Sequence, residues 1–381
     1  MLAVPLSLVA TELTDDEVQL QADVRSFCDQ ELTATSYAAG LGMMVGLSKP
    51  FSRKLAERGW IGMALPVAYG GSDASAVERF VVVEELLRRG APLDQHWTAD
   101  RQSGPVINRF GTDAQKERFL PGICRGELCF CIGMSEPDSG SDLASVKTRA
   151  TKVDGGWRLT GTKIWTSNAL NADYTIALCR SDDAENHHQG LSQLIVDLHA
   201  EGVSISPIPF IDGSADFSEV VFDEVFVEDD LLLGARGDGW HQVTSELSFE
   251  RAGPERWISP FLLVEAFLRE HASSLGREAQ RFLGRTLARW WALRQLSLSV
   301  ARMIDDGLAP GVESAMGKDL GTEFEQSIVA DLQRLVELEP SLADESAFSR
   351  HLAQATLVAP GWAIRGGTNE ILRGIIAKGL R

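Results

Sequence analysis

The chain has 381 residues, with 36 basic and 54 acidic side chains and a formal charge of −18. This excess of negative charge favours a well-solvated surface and argues against a nucleic-acid partner, because phosphates would be repelled. The sequence has no apolar run long enough to span a bilayer, and its apolar first ten residues lack the basic residues of a signal peptide.

Residues 1–128 are predicted to form an N-terminal helical domain. Apolar residues recur there at helical spacing in three stretches, 15–31, 54–59 and 76–88. The glycines at 40, 42 and 46 are similar to a dinucleotide fingerprint, but they have one residue too many before the third glycine. The fingerprint also requires a strand directly before it, and none is predicted here. A nicotinamide site is therefore not predicted.

Residues 129–239 predict a middle β-barrel-like domain. Alternating or β-branched residues occupy three short stretches, 157–165, 203–210 and 217–226. Turn signals such as Gly155-Gly156 and Asp212-Gly213 separate these stretches.

Residues 240–381 predict a C-terminal helical bundle, because long amphipathic stretches return at 263–271, 278–306 and 321–338. The fold class is therefore α+β multidomain, with a helical bundle, a β domain and a second helical bundle in that order.

The cysteines give no sign of a metal site. They are odd in number and lack zinc-ligand spacing: Cys28, Cys124, Cys129, Cys131 and Cys179. Reduced, buried thiols in a cytoplasmic protein are the expected state.

Two segments indicate a binding function. Residues 134–142 read Met-Ser-Glu-Pro-Asp-Ser-Gly-Ser-Asp, a loop whose hydroxyls and backbone N–H groups suit a flat polar ring or a phosphate. Read alone, such a loop is usually only a turn. Residues 161–168 read Gly-Thr-Lys-Ile-Trp-Thr-Ser-Asn, where a strand tryptophan precedes two hydroxyls and an amide. A strand tryptophan is more often part of a core than a cofactor platform.

These two segments resemble the flavin-binding segments of acyl-CoA dehydrogenases. Residues 59–71 and 366–371 match other family motifs in the right order, so the likeness covers nearly the whole chain. It implies a helical, β and helical fold with FAD as cofactor. The implied activity introduces a double bond between the α and β carbons of an acyl-CoA thioester.

The resemblance also assigns cofactor-binding residues. Met134 and Ser135 are expected at the pyrimidine edge of the flavin, and Trp165 against its ring system. Ser167 is expected to bond near N5. Ser141 is expected near the bound thioester or the cofactor pyrophosphate.

The reaction needs a carboxylate base for the α proton. Many family members carry it immediately before the Gly-Thr of the last helix, where this chain has Gly366. A second branch of the family places the base on an earlier helix, directly before an arginine, and Glu250 precedes Arg251 here. Glu250 also continues the apolar stripe that runs from Trp240.

Glu250 is therefore the predicted base, and Glu246 is the fallback one turn earlier. The alternative is that Glu250 forms a structural ion pair with Arg251 or Arg256, or faces water at the edge of the bundle. Pro254 cannot donate the N–H that would continue the helix, so the helix should kink or end nearby.

Three further residues complete the implied site. The backbone N–H of Gly366 is expected to bond the thioester oxygen and so to acidify the α proton. Thr368 is expected to cap the last helix, whose N-terminus favours an anionic ligand. Arg251 is expected to contact the substrate.

The resemblance has gaps. Arg281 to Gly284 matches only part of the element with which a neighbouring subunit clasps FAD in family homotetramers, and residues 336–361 contain no Gly-Gly loop. A homo-oligomer and a heteromer with a paralogous subunit therefore both stay open. The expected electron acceptor is an electron-transferring flavoprotein.

Two other functions remain open on the same fold. One is a silent partner subunit that completes another chain's site, and the other is a flavin oxidase or monooxygenase. The early-helix base and the Gly366-Gly367 pair favour a branched or bulky acyl group.

Overall fold

The computed structural model describes residues 6, 8–33, 40–41, 46–251 and 253–380, without the side chains of 246–250 and 274. The chain divides into two units. The first, here the helical unit, comprises Met1–Gly46, Ser75–Pro92 and Ser248–Arg381. The second, here the sheet unit, comprises Leu47–Ala74 and Leu93–Leu247.

The α-helices of the described residues are numbered in chain order. They are α1 (Asp15–Glu31), α2 (Lys49–Glu57), α3 (Ala76–Arg88), α4 (Gly104–Phe110), α5 (Asp113–Cys124), α6 (Gly239–Glu250), α7 (Phe261–His271), α8 (Arg277–Asp305), α9 (Gly311–Leu335), α10 (Ala347–Trp362) and α11 (Asn369–Gly379). No helix in this part of the chain is both long and apolar enough to cross a membrane.

The helical unit contains α1, α3 and α7 to α11. Thr14 is the N-cap of α1, and Ser75 is the N-cap of α3. Each forms a capping box, which supplies hydrogen-bond acceptors for N–H groups that have no partner within the helix. Three buried carboxylates then join α1, α3 and α8 through arginines. The pairs are Glu17 with Arg302 at 2.6 Å, Glu84 with Arg294 at 2.7 Å and Glu85 with Arg25 at 2.8 Å.

The sheet unit is built on one eight-stranded sheet. Its strands are β1 (Phe130–Gly133), β2 (Arg149–Val153), β3 (Gly156–Ser167), β4 (Tyr174–Arg180), β5 (Leu191–Asp197), β6 (Val203–Ile208), β7 (Phe217–Glu228) and β8 (Leu232–Leu233). Their order is β6-β7-β3-β2-β4-β5-β8, with β1 parallel to β4. The long antiparallel pair β3–β7 carries the core residues Trp157, Leu159 and Val220.

The predicted fold class is confirmed, and α1 and α3 have the predicted bounds. Two helix starts were predicted too late. α2 begins at Lys49 rather than 54, and α9 begins at Gly311 rather than 321. Gly321 lies inside α9, where a Cβ would lie 2.4 Å from the carbonyl oxygen of Arg256.

Two other predictions concern the cysteines and the glycine-rich stretch 40–46. All five cysteines are buried free thiols, as expected. The glycine-rich stretch 40–46 lies mostly outside the described residues, and its described positions belong to no helix or strand.

Candidate active site

A β-bulge in β3 determines where Trp165 points. The pairing of β3 with β7 shifts register between Lys163 and Thr166, and Trp165 has a φ of +59°. Simple alternation from Trp157 would place Trp165 on the buried face of the strand. The bulge instead leaves Trp165 52% exposed and buries Thr166. A strained backbone of this kind, at a large exposed aromatic, is typical of a functional site.

The loop that follows β1 is hydrogen-bonded to the same part of β3. The Ile164 N–H donates to the Ser135 carbonyl at 2.9 Å, and Lys163 Nζ donates to the Met134 carbonyl at 3.0 Å. Met134 and Ser135 therefore lie beside the bulge that presents Trp165. The fold brings together these sequence-distant residues, as the motif resemblance predicts.

A buried ion pair holds this loop in place. Lys163 Nζ lies 2.8 Å from Glu136 Oε1, and the Lys163 side chain is 0% exposed. Glu136 also accepts from the N–H groups of Lys147 at 2.6 Å and Thr148 at 2.9 Å. Burial opposes ionisation, but the Lys163 charge and these bonds together lower the pKa of Glu136.

This pair was missed by the sequence analysis, although a signal for it exists. Lys163 has the same strand parity as Trp157 and Leu159, so its charge falls on the buried face and needs a partner. Gly133 is part of the same arrangement, because a Cβ there would lie 3.1 Å from Lys163 Cγ.

The surface around Trp165 suits a flat heteroaromatic ring. The indole offers an exposed face, and Phe217 packs edge-on against it with ring centroids 6.3 Å apart. Ser135 and Ser167 are both half-buried and supply hydroxyls near the bulge, since Ser135 bonds to Ile164 and Ser167 ends β3. Ser141 is exposed and lies further along the loop.

The helical unit holds the other predicted residues. Gly366 and Gly367 form the turn before α11 with φ values of +66° and +94°, a conformation that glycine adopts readily. Thr368 is the N-cap of α11, and its hydroxyl accepts from the Ile371 N–H at 3.4 Å. The predicted cap is thus present.

Two arginines line the Gly366-Gly367 turn. Arg251 Nε donates to the Gly366 carbonyl at 3.3 Å, so Arg251, Gly366 and Thr368 lie close together. A Cβ on Gly366 would lie 3.1 Å from Arg256 Nη2, and one on Gly367 would lie 3.7 Å from Arg251 Nη2. The space beside the two glycines is therefore bounded by guanidinium groups.

Helix α6 carries the predicted base. It ends at Glu250, and Pro254 begins a short 3-10 turn, which confirms the predicted helix end. Val243, on the predicted stripe, is fully buried. The side chains of Glu246 and Glu250 lie outside the described residues, so the base remains a prediction.

The partial clasp element lies on α8. Phe282 is buried in the core of the helical unit, whereas Arg281 and Gly284 are on the exposed side of the helix. Its part in binding a cofactor of another subunit stays a prediction.

Three family models match the chain. They describe the acyl-CoA dehydrogenase N-terminal domain over residues 14–127, the middle domain over 131–225 and the C-terminal domain over 237–381. The chain therefore belongs to the acyl-CoA dehydrogenase family, whose members are flavoproteins. It is an oxidoreductase that acts on acyl-CoA.

Individual relatives support the same family assignment. Acyl-CoA dehydrogenase FadE29 of Mycobacterium tuberculosis is 30% identical, covering 96% of each chain. Acyl-CoA dehydrogenase FadE34 of the same organism is 33% identical over 86% of this chain, which spans 45% of that longer protein. A solved structure described as the Tcur3481-Tcur3483 steroid ACAD has a TM-score of 0.86 and 28% identity, covering 96% of this chain and 97% of the other.

Proposed function

We propose that this chain catalyses FAD-dependent α,β-dehydrogenation of an acyl-CoA thioester, with Glu250 as the base. The observation that carries the proposal is the bulge that exposes Trp165 beside the hydroxyl-bearing loop after β1. FAD, when bound, supplies the N5 acceptor for the hydride from the β carbon. The chain's own residues bind the ring, orient the thioester and remove the α proton.

The sheet unit supplies the flavin contacts. Trp165 would stack on the ring system, and Met134 and Ser135 would bond its pyrimidine edge. Ser167 would bond near N5. Ser141 would lie toward the thioester or the pyrophosphate. The Glu136–Lys163 pair supports this assignment, because it fixes the loop that carries Met134 and Ser135 before any ligand binds.

The helical unit supplies the groups for proton removal. The Gly366 N–H would donate to the thioester oxygen, and negative charge that develops there on loss of the α proton would be stabilised. Arg251, bonded to the Gly366 carbonyl, adds positive charge at the same turn and would contact the substrate. The N-terminus of α11, capped by Thr368, favours an anionic group in the same way.

The base is assigned to Glu250 by position. Gly366 has no side chain, so it cannot supply the carboxylate that many relatives carry there. Glu250 is the last residue of α6 and directly precedes Arg251, as in the early-helix branch of the family.

The acyl group is proposed to be branched or bulky. The early-helix base supports this, and so does the likeness to a structure described as a steroid ACAD. A panel of linear, branched and polycyclic CoA esters, scored by the rate of flavin bleaching, tests it. A clear preference for a short linear ester would contradict the proposal.

The partners proposed are an electron-transferring flavoprotein and further subunits, either identical or paralogous. The name of the solved relative joins two proteins, which supports a paralogous subunit. Co-expression with a paralogue, followed by mass determination and flavin counting, distinguishes the two assemblies.

The purified protein, expressed with ample FAD, is expected to be yellow and to bleach on adding acyl-CoA without consuming oxygen. Turnover should continue with an electron-transferring flavoprotein or a redox dye as acceptor. Oxygen consumption would indicate an oxidase or monooxygenase. Robust turnover with NAD as sole acceptor would contradict the proposed electron route.

Trp165→Ala is expected to release much of the flavin or to shift its absorbance, because the stacking surface is lost. Trp291→Ala is the matched control, since Trp291 is 65% exposed on α8 in the other unit. Flavin per protein after gel filtration is the measurement. Equal flavin content and spectra in the two variants would exclude Trp165 from the flavin site.

A further inference from the structure

A buried lysine lies beneath the turn that carries Gly366. Lys318, on α9, has a side chain that is 0% exposed, and Nζ contacts three oxygen atoms. It donates to the Ala363 carbonyl at 2.7 Å, the Gly367 carbonyl at 2.7 Å and Asn369 Oδ1 at 3.1 Å. An ammonium group has three N–H donors, so all of them are used, and they join the end of α10 to the start of α11.

These bonds orient the peptide groups of the turn. The Gly367 carbonyl points to Lys318, and the Gly366 carbonyl accepts from Arg251. The Ala363 and Gly367 carbonyls, both bound by Lys318, lie on either side of Gly366 in sequence. The short segment that carries the Gly366 N–H is therefore held at both ends. Lys318 and Arg251 together set the conformation of a turn whose two glycines would otherwise leave it flexible.

We propose that Lys318 is a positioning residue that holds the Gly366 turn ready to bind the thioester oxygen. The inference rests on the proposed dehydrogenation, in which the Gly366 N–H donates to that oxygen. Such donors are effective because they are fixed before the charge develops, so no reorganisation is needed during the reaction. Lys318 supplies this fixation without contacting the substrate itself.

Several charged groups lie around Lys318. They are Arg256 before α7, Arg365 in the turn, Glu370 on α11, and Asp319 and Glu325 on α9. Two of the carboxylates are already paired, Glu325 with Arg365 at 2.6 Å and Asp319 with Arg373 at 3.2 Å. Burial, together with the positive charges of Arg256 and Arg365, lowers the pKa of Lys318 to about 7.

The direction of the pH effect follows from donor number. Below pH 7 the ammonium group makes all three bonds. Above it, the neutral amine has only two N–H donors, so one oxygen loses its partner and the turn loosens.

The free energy of unfolding changes with pH in the opposite direction to the activity. The unfolded chain keeps the lysine proton until its ordinary pKa, so stability rises with pH above 7. A fall in activity there is thus distinguishable from unfolding.

Lys318→Met keeps most of the side-chain volume and removes the charge and the donors. At saturating acyl-CoA, the rate of flavin bleaching is expected to fall by about 10- to 100-fold, because one preorganised oxyanion contact is weakened. KM and flavin content should change little. The decline of the rate above pH 7, present in the wild type, should be absent. Lys378→Met, on the exposed last turn of α11, is the control and should match the wild type.

Asn369→Asp tests the same idea without disturbing the lysine. A carboxylate 3.1 Å from Nζ favours the ammonium form. The decline of the rate should move to higher pH while the rate at neutral pH is kept. If Lys318→Met does not fold, this variant alone tests whether Lys318 positions the Gly366 turn.

An unchanged rate and pH profile in folded, flavin-loaded Lys318→Met would overturn the proposal. So would losses confined to melting temperature and flavin content, or a pH profile unmoved in Asn369→Asp. If the flavin of the wild-type protein is bleached by acyl-CoA while any of these results is obtained, only the proposal for Lys318 fails. If the wild type neither binds flavin nor bleaches, the proposed function fails with it.

Discussion

Glu250→Gln is expected to slow the bleaching of bound flavin by acyl-CoA by about 10²- to 10⁴-fold, the usual scale for loss of a general base. Glutamine keeps the shape of glutamate and cannot take up the α proton. Flavin content and acyl-CoA affinity should stay near wild type, because the flavin contacts proposed for Met134, Ser135 and Trp165 are untouched. Stopped-flow absorbance under anaerobic conditions measures the rate directly.

The control is Glu278→Gln, which makes the same chemical change at an exposed position in the first turn of α8. It should bleach at the wild-type rate. If Glu250→Gln does so too, the base lies elsewhere, and Glu246 or a carboxylate from a partner chain is tested next.

Moving the carboxylate to position 366 is not expected to rescue Glu250→Gln. Gly366 has a φ of +66°, which strains any other residue, and its Cβ would lie 3.1 Å from Arg256 Nη2. A glutamate there would form an ion pair with that guanidinium, and its basicity would fall. Recovery of more than a small fraction of the rate in the double variant would show that Arg256 moves aside.

The sequence predicted the features that depend on residues close together in the chain. The helical spacing of α1 and α3 predicted their bounds, and Pro254 predicted the end of α6. The motifs also predicted that Met134 and Ser135 lie near Trp165. The start of α9 was predicted too late, since the helix begins ten residues before Gly321. Gly321 permits close approach of the Arg256 backbone, which is more than sixty residues away in sequence.

The orientation of Trp165 shows the limit of period-two reasoning. Counting from Trp157 puts residues 163 and 165 on the same buried face. Lys163 follows the count and is buried, but the bulge after it leaves Trp165 exposed and buries Thr166. The sequence carries no distinct signal for a bulge at this point, since neither residue between Lys163 and Thr166 is a glycine. Family resemblance, rather than periodicity, is the basis of the prediction that Trp165 stacks on the flavin.

The Lys318 cluster was not predicted because its partners come from four separate segments. A lysine within α9 has the pattern of an ordinary surface residue. Its burial becomes visible only when the turn before α11 and the 3-10 turn after α6 are placed against α9. Likewise, nothing local to Gly366 indicates that Arg256 occupies the space beside it.

Lys163→Met is expected to destabilise the sheet unit by about 3–5 kcal/mol, the scale for leaving one member of a buried ion pair without its partner. Glu136 would keep its bonds to the Lys147 and Thr148 N–H groups but lose the cation 2.8 Å away. The Met134 carbonyl would lose its donor as well. Flavin content should therefore fall together with the melting temperature, and both are measured on freshly purified protein.

The matched control is Lys147→Met, which removes an exposed lysine paired with Asp138 at 3.1 Å on the same loop. Exposed pairs contribute about 0–1 kcal/mol, so this variant should keep its flavin and its stability.

The double variant Lys163→Met, Glu136→Leu separates the two effects of the buried pair. Replacing both charges by apolar groups removes the unpaired carboxylate, so much of the stability should return. The flavin should not return, because the bonds that shape the loop are still absent. If Lys163→Met alone keeps wild-type stability and flavin, the pair does not organise the loop. If the double variant regains both, burial of charge rather than loop geometry explains the loss, and the flavin contacts of Met134 and Ser135 do not depend on Lys163.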